Sequence, residues 1–100
     1  MFKGTTPTHT FNVSIDTSLI KEVKITYSQK DAEILVKRTE DCTISDGAIT
    51  TRLSQEDTFK FEGNTIVTIQ VRVLTTGGDA LMAEPIMMTV GKCLDDEVLV

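Results

Sequence analysis

The chain has few of the side chains on which catalysis and cofactor binding most often depend. Among its 100 residues there are no tryptophans, one tyrosine, one histidine and two cysteines. A catalytic serine or cysteine needs a histidine base that a third group orients. The single histidine, His9, stands at the start of a strand-like segment and has no serine motif near it. We interpret His9 as a surface or edge residue, and we expect no enzymatic activity, no catalytic residue and no bound cofactor.

Long apolar runs are also absent, and no segment approaches the roughly 18 residues of a membrane-spanning helix. Residues 1–7 lack the apolar stretch of a secretory signal, so we expect synthesis in the cytoplasm. In that compartment we expect Cys42 and Cys93 to be reduced thiols, with a disulfide as the alternative. A zinc site is less favoured, because two cysteines and one histidine would need a carboxylate as the fourth ligand.

Basic residues are fewer than acidic residues. The chain carries 15 acidic and 10 basic residues, which gives a formal net charge of −5. Such a surface repels phosphate backbones and anionic lipid, which argues against a nucleic acid partner and against a membrane partner. The rest of the composition, with 40% hydrophobic and 25% charged residues, is ordinary for a folded protein. A length of 100 residues suits one domain, which we place over residues 1–100.

The most regular feature of the chain is an alternation of apolar and polar residues with a period of two. In residues 64–75, Val67, Ile69, Val71 and Val73 alternate with polar side chains. This spacing places one face of an extended segment in a core and the other in water. We therefore predict a strand here, and its regularity indicates an interior strand of a sheet.

Weaker alternation predicts further strands at residues 8–15, 49–53 and 80–90. It also predicts a hairpin over residues 21–38, in which Ile34 and Val36 mark the second strand. Residues 40–47 are predicted to form a loop that ends in a turn at Asp46 and Gly47. Ser54 followed by Asp57 resembles a capping box, which predicts one helical turn over residues 54–57. About seven short strands with one helical turn predict an all-β, immunoglobulin-like β-sandwich.

Two acidic clusters are interpreted as structural. Glu56 and Asp57 lie in the first turn of the predicted helix, where they complement its dipole more simply than they would form a catalytic pair. Asp95, Asp96 and Glu97 have the oxygen ligands that calcium prefers, but they lack the spacing and the glycine of an EF-hand loop. We predict no metal site from either cluster.

Two irregular segments are the candidate docking sites. Pro85 lies within the last predicted strand, and because proline cannot donate to a ladder it predicts an edge strand or a bulge. Met87 and Met88 fall on opposite faces of that strand, so one of them is expected to be exposed. Residues 94–100 join an acidic cluster to an apolar end, which either adds a strand to its own sheet or docks on a partner. The predicted docking residues are Pro85, Met87, Leu94, Val98, Leu99 and Val100.

Five segments follow one another in an order and spacing that characterise a family. They are residues 11–16 (FNVSID), 25–29 (ITYSQ), 53–61 (LSQEDTFKF), 69–73 (IQVRV) and 94–98 (LDDEV). Taken together, they resemble a family of small, mostly uncharacterised proteins that phages and prophages of Firmicutes encode, especially in Clostridia. At the level of fold alone, the strand pattern also resembles the N-terminal β-sandwich domain of upper baseplate proteins from phages of Gram-positive bacteria.

The resemblance implies a phage-related structural or accessory protein without catalytic residues. We expect it to act by docking onto protein partners in a phage assembly, in the tail or baseplate, with homo-oligomerisation as one form of that docking. Its expected location is the host cytoplasm during synthesis and afterwards the virion. Two alternatives stay open: a carbohydrate-binding module for host-surface recognition, for which aromatic platforms are few, and a small effector directed at a host protein.

Overall fold

Two antiparallel sheets make up most of the structure, a computed structural model that describes residues 1–100. The strands are β1 (Thr8–Asn12), β2 (Ile20–Gln29), β3 (Ala32–Arg38), β4 (Cys42–Ser45), β5 (Ala48–Arg52), β6 (Thr65–Thr75), β7 (Ala80–Met82) and β8 (Ile86–Val90). The helical elements are α1 (Gln55–Phe59) and two short 3-10 helices, Thr17–Leu19 and Thr39–Asp41. The small sheet has the strand order β1-β5-β4, and the large sheet has the order β3-β2-β6-β7, with β8 also pairing with β6. The predicted all-β sandwich is confirmed, with eight strands in place of about seven and two short helices beyond the one predicted.

The core lies between the sheets and contains 13 buried apolar residues. Strand β6 supplies four of them, Val67, Ile69, Val71 and Val73, which are the alternating positions that predicted it. It pairs with β2 on one side and with β7 and β8 on the other, so the predicted interior position is confirmed. The α-helix has five residues, and no helix in the structure combines the length and apolarity needed to cross a membrane.

The predicted β2–β3 hairpin is confirmed, and its tight turn uses unusual residues. Lys30 and Asp31 both have positive φ, +51° and +62°, as a two-residue type I′ turn requires. The inward position of β3 belongs to Leu35, which is opposite Tyr27, and not to Ile34 or Val36 as the sequence pattern indicates. The pairing shifts by one residue between Tyr27 and Ser28, so Ile34 is the extra residue of a bulge and the alternation changes phase there.

The strained turn leads to a stability prediction. The double substitution Lys30→Asn with Asp31→Gly should raise the free energy of unfolding by about 1 kcal/mol, because lysine pays roughly 1–2 kcal/mol for left-handed backbone, aspartate pays less and glycine pays none. Part of the gain is offset by loss of the exposed Lys30–Glu62 ion pair, whose Nζ–Oε2 distance is 2.9 Å. Urea unfolding measures the change, and Lys30→Ala serves as the control for the ion pair. A double variant no more stable than Lys30→Ala would contradict the prediction.

Two boundaries differ from those expected. The segment predicted as a loop over residues 40–47 contains β4, which pairs with β5 from Cys42 opposite Thr51 to Ser45 opposite Ala48. Four residues are too few for the alternation to show, and β5 supplies the ladder that holds them. The first strand ends at Asn12 and not at Ile15, because its partner β5 begins at Ala48. The turn at Asp46 and Gly47 is confirmed, with φ of +52° and +76°.

The capping box before α1 is also confirmed. The amide of Asp57 donates to Ser54 Oγ at 3.0 Å, and the amide of Ser54 donates to Asp57 Oδ2 at 2.9 Å. The same Asp57 oxygen accepts a hydrogen bond from Lys37 Nζ at 2.8 Å. Because Lys37 lies on the inward face of β3, opposite the buried Ile25, this contact fixes the helix on the inner side of the large sheet.

Candidate docking surface

Pro85 divides the last predicted strand into β7 and β8, both of which pair with β6. Met82 is opposite Arg72, and Ile86 is opposite Ile69. Between these two pairs β6 has two residues, 70 and 71, whereas the edge strand has three, 83 to 85. One extra residue on one strand defines a bulge, so Pro85 lies in a bulged edge strand, as its chemistry predicts.

The bulge changes which side chains reach the surface. Leu81 is on the inward face of β7 and Met82 on the outward face, whereas Ile86 is inward and Met87 outward in β8. All four are exposed, Met82 by 64% and Met87 by 70%. Met88 is half-buried against the core, so the prediction that the two adjacent methionines separate is confirmed. We call Leu81, Met82, Pro85, Ile86 and Met87 the apolar edge.

The backbone of this edge is covered at one end. Residues 1–3 run parallel to the end of β8, where the amide of Gly91 donates to the Met1 carbonyl at 2.6 Å and the amide of Lys3 donates to the Gly91 carbonyl at 3.0 Å. The ring of Phe2 lies against Gly91, where any added Cβ would clash with it. The open part of the edge is therefore the stretch before Thr89. Beside it, a mostly apolar groove of about 160 Å³ separates Val13 and Ile15 from Leu81.

The carboxyl-terminal segment, residues 94–100, forms no strand, so of the two alternatives the addition of a strand to its own sheet is wrong. The Gln55 side chain holds it, accepting from the Leu99 amide at 2.9 Å and donating to the Leu99 carbonyl at 2.8 Å. Its side chains stay at the surface: Leu94 is 95% exposed, Leu99 71%, and Val98 is partly covered. The six predicted docking residues thus lie in two separate places, with Pro85 and Met87 at the apolar edge and the rest in this segment.

His9 lies in β1, an edge strand of the small sheet, but its ring is turned inward and is half-buried. Its Nδ1 is 2.7 Å from the hydroxyl of Tyr27, which is fully buried. Burial, together with the positive N-terminus, lowers the pKa of His9, and burial chiefly raises the pKa of Tyr27. This contact gives each of the two polar side chains a hydrogen-bond partner inside the sandwich, so we interpret the pair as structural.

The two cysteines are free and half-buried in the structure. Burial raises the pKa of the Cys42 thiol, which lies in β4. No three histidine, cysteine, aspartate or glutamate side chains come together as a metal-binding group. Within residues 95–97, the Glu97 amide donates to Asp95 Oδ1 at 3.0 Å.

One feature of the surface was not predicted from the sequence. On the outward face of the large sheet, Lys24 is directly opposite Arg38 on one side and Arg72 on the other. We call these three residues the cation row. They line a cavity of about 300 Å³ together with apolar residues at the start of β7. The only sequence signal is that each falls at an outward position; their alignment depends on the register of three strands.

Comparison with known proteins gives no relative from which a site could be transferred. No protein-family model, no curated protein and no solved structure matches this chain.

Proposed function

We propose that this chain is a non-enzymatic structural or accessory protein of a phage or prophage, and that it docks onto a protein partner in the tail or baseplate. The observation that carries the docking proposal is the apolar edge. Its assignment to a phage assembly rests on the five ordered segments that resemble phage and prophage proteins.

An open, apolar sheet edge is costly to leave in water. Natural proteins protect such an edge with lysine, proline, a bulge, a covering loop or a very short strand, because it can pair with another chain. This edge has the bulge at Pro85 and a β7 of only three residues, but it carries no lysine and its apolar side chains stay exposed. Here Met82, Ile86 and Met87 are exposed by 64%, 43% and 70%, on both sides of the edge. A partner strand added to this edge would gain main-chain hydrogen bonds and would cover side chains on both faces of the sheet.

The carbohydrate alternative gains less support from the surface. Sugar rings commonly stack on exposed aromatic side chains, but Phe11, Tyr27 and Phe61 are buried and Phe59 is half-buried. Of the five aromatic residues, Phe2 is the one with a largely exposed side chain, at 64%. Protein docking is therefore the function that the geometry favours.

A single substitution tests the proposal. Met87→Lys places a charge on the apolar edge at a position that is already 70% exposed, so the free energy of unfolding should change by no more than about 0.5 kcal/mol. Co-purification with induced phage particles, measured by quantitative mass spectrometry, should fall at least about tenfold, because a partner would have to bury the ammonium group.

The matched control is Leu19→Lys, which makes the same kind of change at a side chain 49% exposed outside the apolar edge. The control should co-purify as the unmodified chain does. Equal recovery of the Met87→Lys variant and the unmodified chain with particles would refute docking through the apolar edge.

A further inference from the structure

The cation row is an unfavourable arrangement for an isolated sheet. Side chains directly opposite each other on neighbouring strands lie about 5 Å apart, and like charges in such pairs repel. Lys24 forms an ion pair with Glu33, with 3.9 Å between Nζ and Oε1. Arg38 and Arg72 take part in none of the structure's four ion pairs. Three cations therefore meet on one face of a chain whose net charge is −5. An anionic partner laid across the row would remove this repulsion.

The cavity at the row is lined by the three cations, by apolar side chains and by two acidic residues. Beside the three cations it has an apolar side formed by Leu74, Ala80 and Leu81. Glu22 and Glu40 also line it, and neither makes an ion pair with the row. A complementary ligand would thus carry several negative charges next to an apolar group, in an extended form that can lie across neighbouring strands.

The chain itself contains a segment of this description. Residues 95–97 are three consecutive acids, residues 98–100 are three consecutive apolar residues, and Leu94 precedes them. None of the three acids makes an ion pair in the structure. We infer that the cation row and the adjoining apolar wall bind residues 94–100 of a second copy of this chain. The inference adds a second contact surface to the proposed docking function, and it rests on that function only in taking the chain to act through protein contacts.

The donor is a second copy because the segment lies elsewhere in its own copy. There, Gln55 at the start of α1 holds Leu99. The helix is fixed by Lys37 to the inner side of the large sheet, whereas the cation row is on the outer face. Release from Gln55 costs two exposed hydrogen bonds, each of modest net strength. Because the surface that donates differs from the one that accepts, such contacts join copies head to tail into rings or filaments.

Reciprocal charge reversal in the full chain tests this inference. One variant carries Arg38→Glu and Arg72→Glu, and the other carries Asp95→Lys and Asp96→Lys. Sedimentation velocity at low ionic strength, over concentrations up to about 1 mM, should show self-association of the unmodified chain. Each variant alone should associate at least about tenfold more weakly, because its row and its segment now carry the same sign of charge.

Mixing the two variants in equal amounts should restore association, because the reversed row of one then faces the reversed segment of the other. The control, Arg52→Glu with Lys92→Glu, changes the net charge by the same amount away from the row and should associate as the unmodified chain does. A mixture that stays monomeric, or variants that associate unchanged when alone, would overturn the inference.

An unmodified chain that is monomeric throughout this range would also overturn it. In that case, resonances of Arg38 and Arg72 that shift on addition of inorganic polyphosphate would assign the row to a phosphate polymer instead. Particles that still incorporate the monomeric chain, and lose the Met87→Lys variant, would leave the proposed docking function standing while rejecting this inference.

Discussion

Replacing Gln29 with alanine should lower the free energy of unfolding by about 2–4 kcal/mol. The Gln29 side chain, only 5% exposed, pairs with the backbone of Glu62 as a neighbouring strand would. Its amide nitrogen donates to the Glu62 carbonyl at 3.0 Å, and its oxygen accepts from the Glu62 amide at 2.7 Å. Alanine leaves both peptide groups of this part-buried contact without that partner, and a polar group that water cannot reach costs about 1–3 kcal/mol when unsatisfied.

Two further variants separate this cause from loss of side-chain volume. Gln29→Glu keeps the size and the acceptor but places a carboxylate against the Glu62 carbonyl. It should be destabilising at pH 7 and less so at pH 4, where a protonated carboxyl group can donate to that carbonyl. Gln55→Ala removes the same kind of pairing from an exposed site at Leu99 and should cost no more than about 1 kcal/mol. Urea unfolding measures all three, and a loss below about 0.5 kcal/mol in Gln29→Ala would show that water replaces the amide at no cost.

Replacing Asp57 with alanine should lower the free energy of unfolding by a similar amount, about 2–4 kcal/mol. The substitution removes the half of the capping box in which Asp57 Oδ2 accepts from the Ser54 amide, a hydrogen bond that contributes about 1 kcal/mol. The Ser54 hydroxyl can still accept from the amide of residue 57. The substitution also leaves the Lys37 ammonium group, whose side chain is 14% exposed, without its partner at 2.8 Å. An ammonium group so placed must either recruit water or move outward, and both weaken the contact between α1 and β3.

The pH dependence identifies the charge as the cause. Desolvation opposes ionisation of Asp57, but the hydrogen bonds from Lys37 and Ser54 together hold its pKa below the ordinary value. A lowered folded-state pKa contributes stability that is present above the unfolded pKa of about 4 and is lost as the pH falls through the folded value. The difference in free energy of unfolding between the unmodified chain and Asp57→Asn should therefore be largest at neutral pH and shrink below pH 4. A difference that is the same at pH 7 and pH 3 would mean that shape, and not charge, holds the helix.

Local chemistry accounts for the parts of the fold that the sequence predicts. The alternation at Val67, Ile69 and Val71 places β6 in the interior, because a period of two leaves no other way to bury one face. Ser54 and Asp57 predict the helix, since both partners of a capping box lie within one turn. Pro85 predicts the bulged edge because its ring removes a donor in any context.

Tertiary structure decided the features that depend on pairing between distant residues. The strand β4 exists because β5 supplies its ladder, and Leu35 replaces Val36 as the inward residue because a bulge at Ile34 changes the phase. The carboxyl-terminal segment joins no sheet, and its backbone contact is instead with the distant Gln55 side chain. Each of these partners is set by the register of other strands or by the chain path, which no local pattern encodes.

The same division applies to the candidate surfaces. Residue pattern alone predicts an all-β chain with an irregular edge at Pro85, and it places an acidic cluster before an apolar end in residues 94–100. Only the tertiary structure aligned Arg38, Lys24 and Arg72 and set them on the face opposite the helix that holds that segment. Alternation places each cation on the outward side of its strand, but charges meet only when the register brings their strands into line.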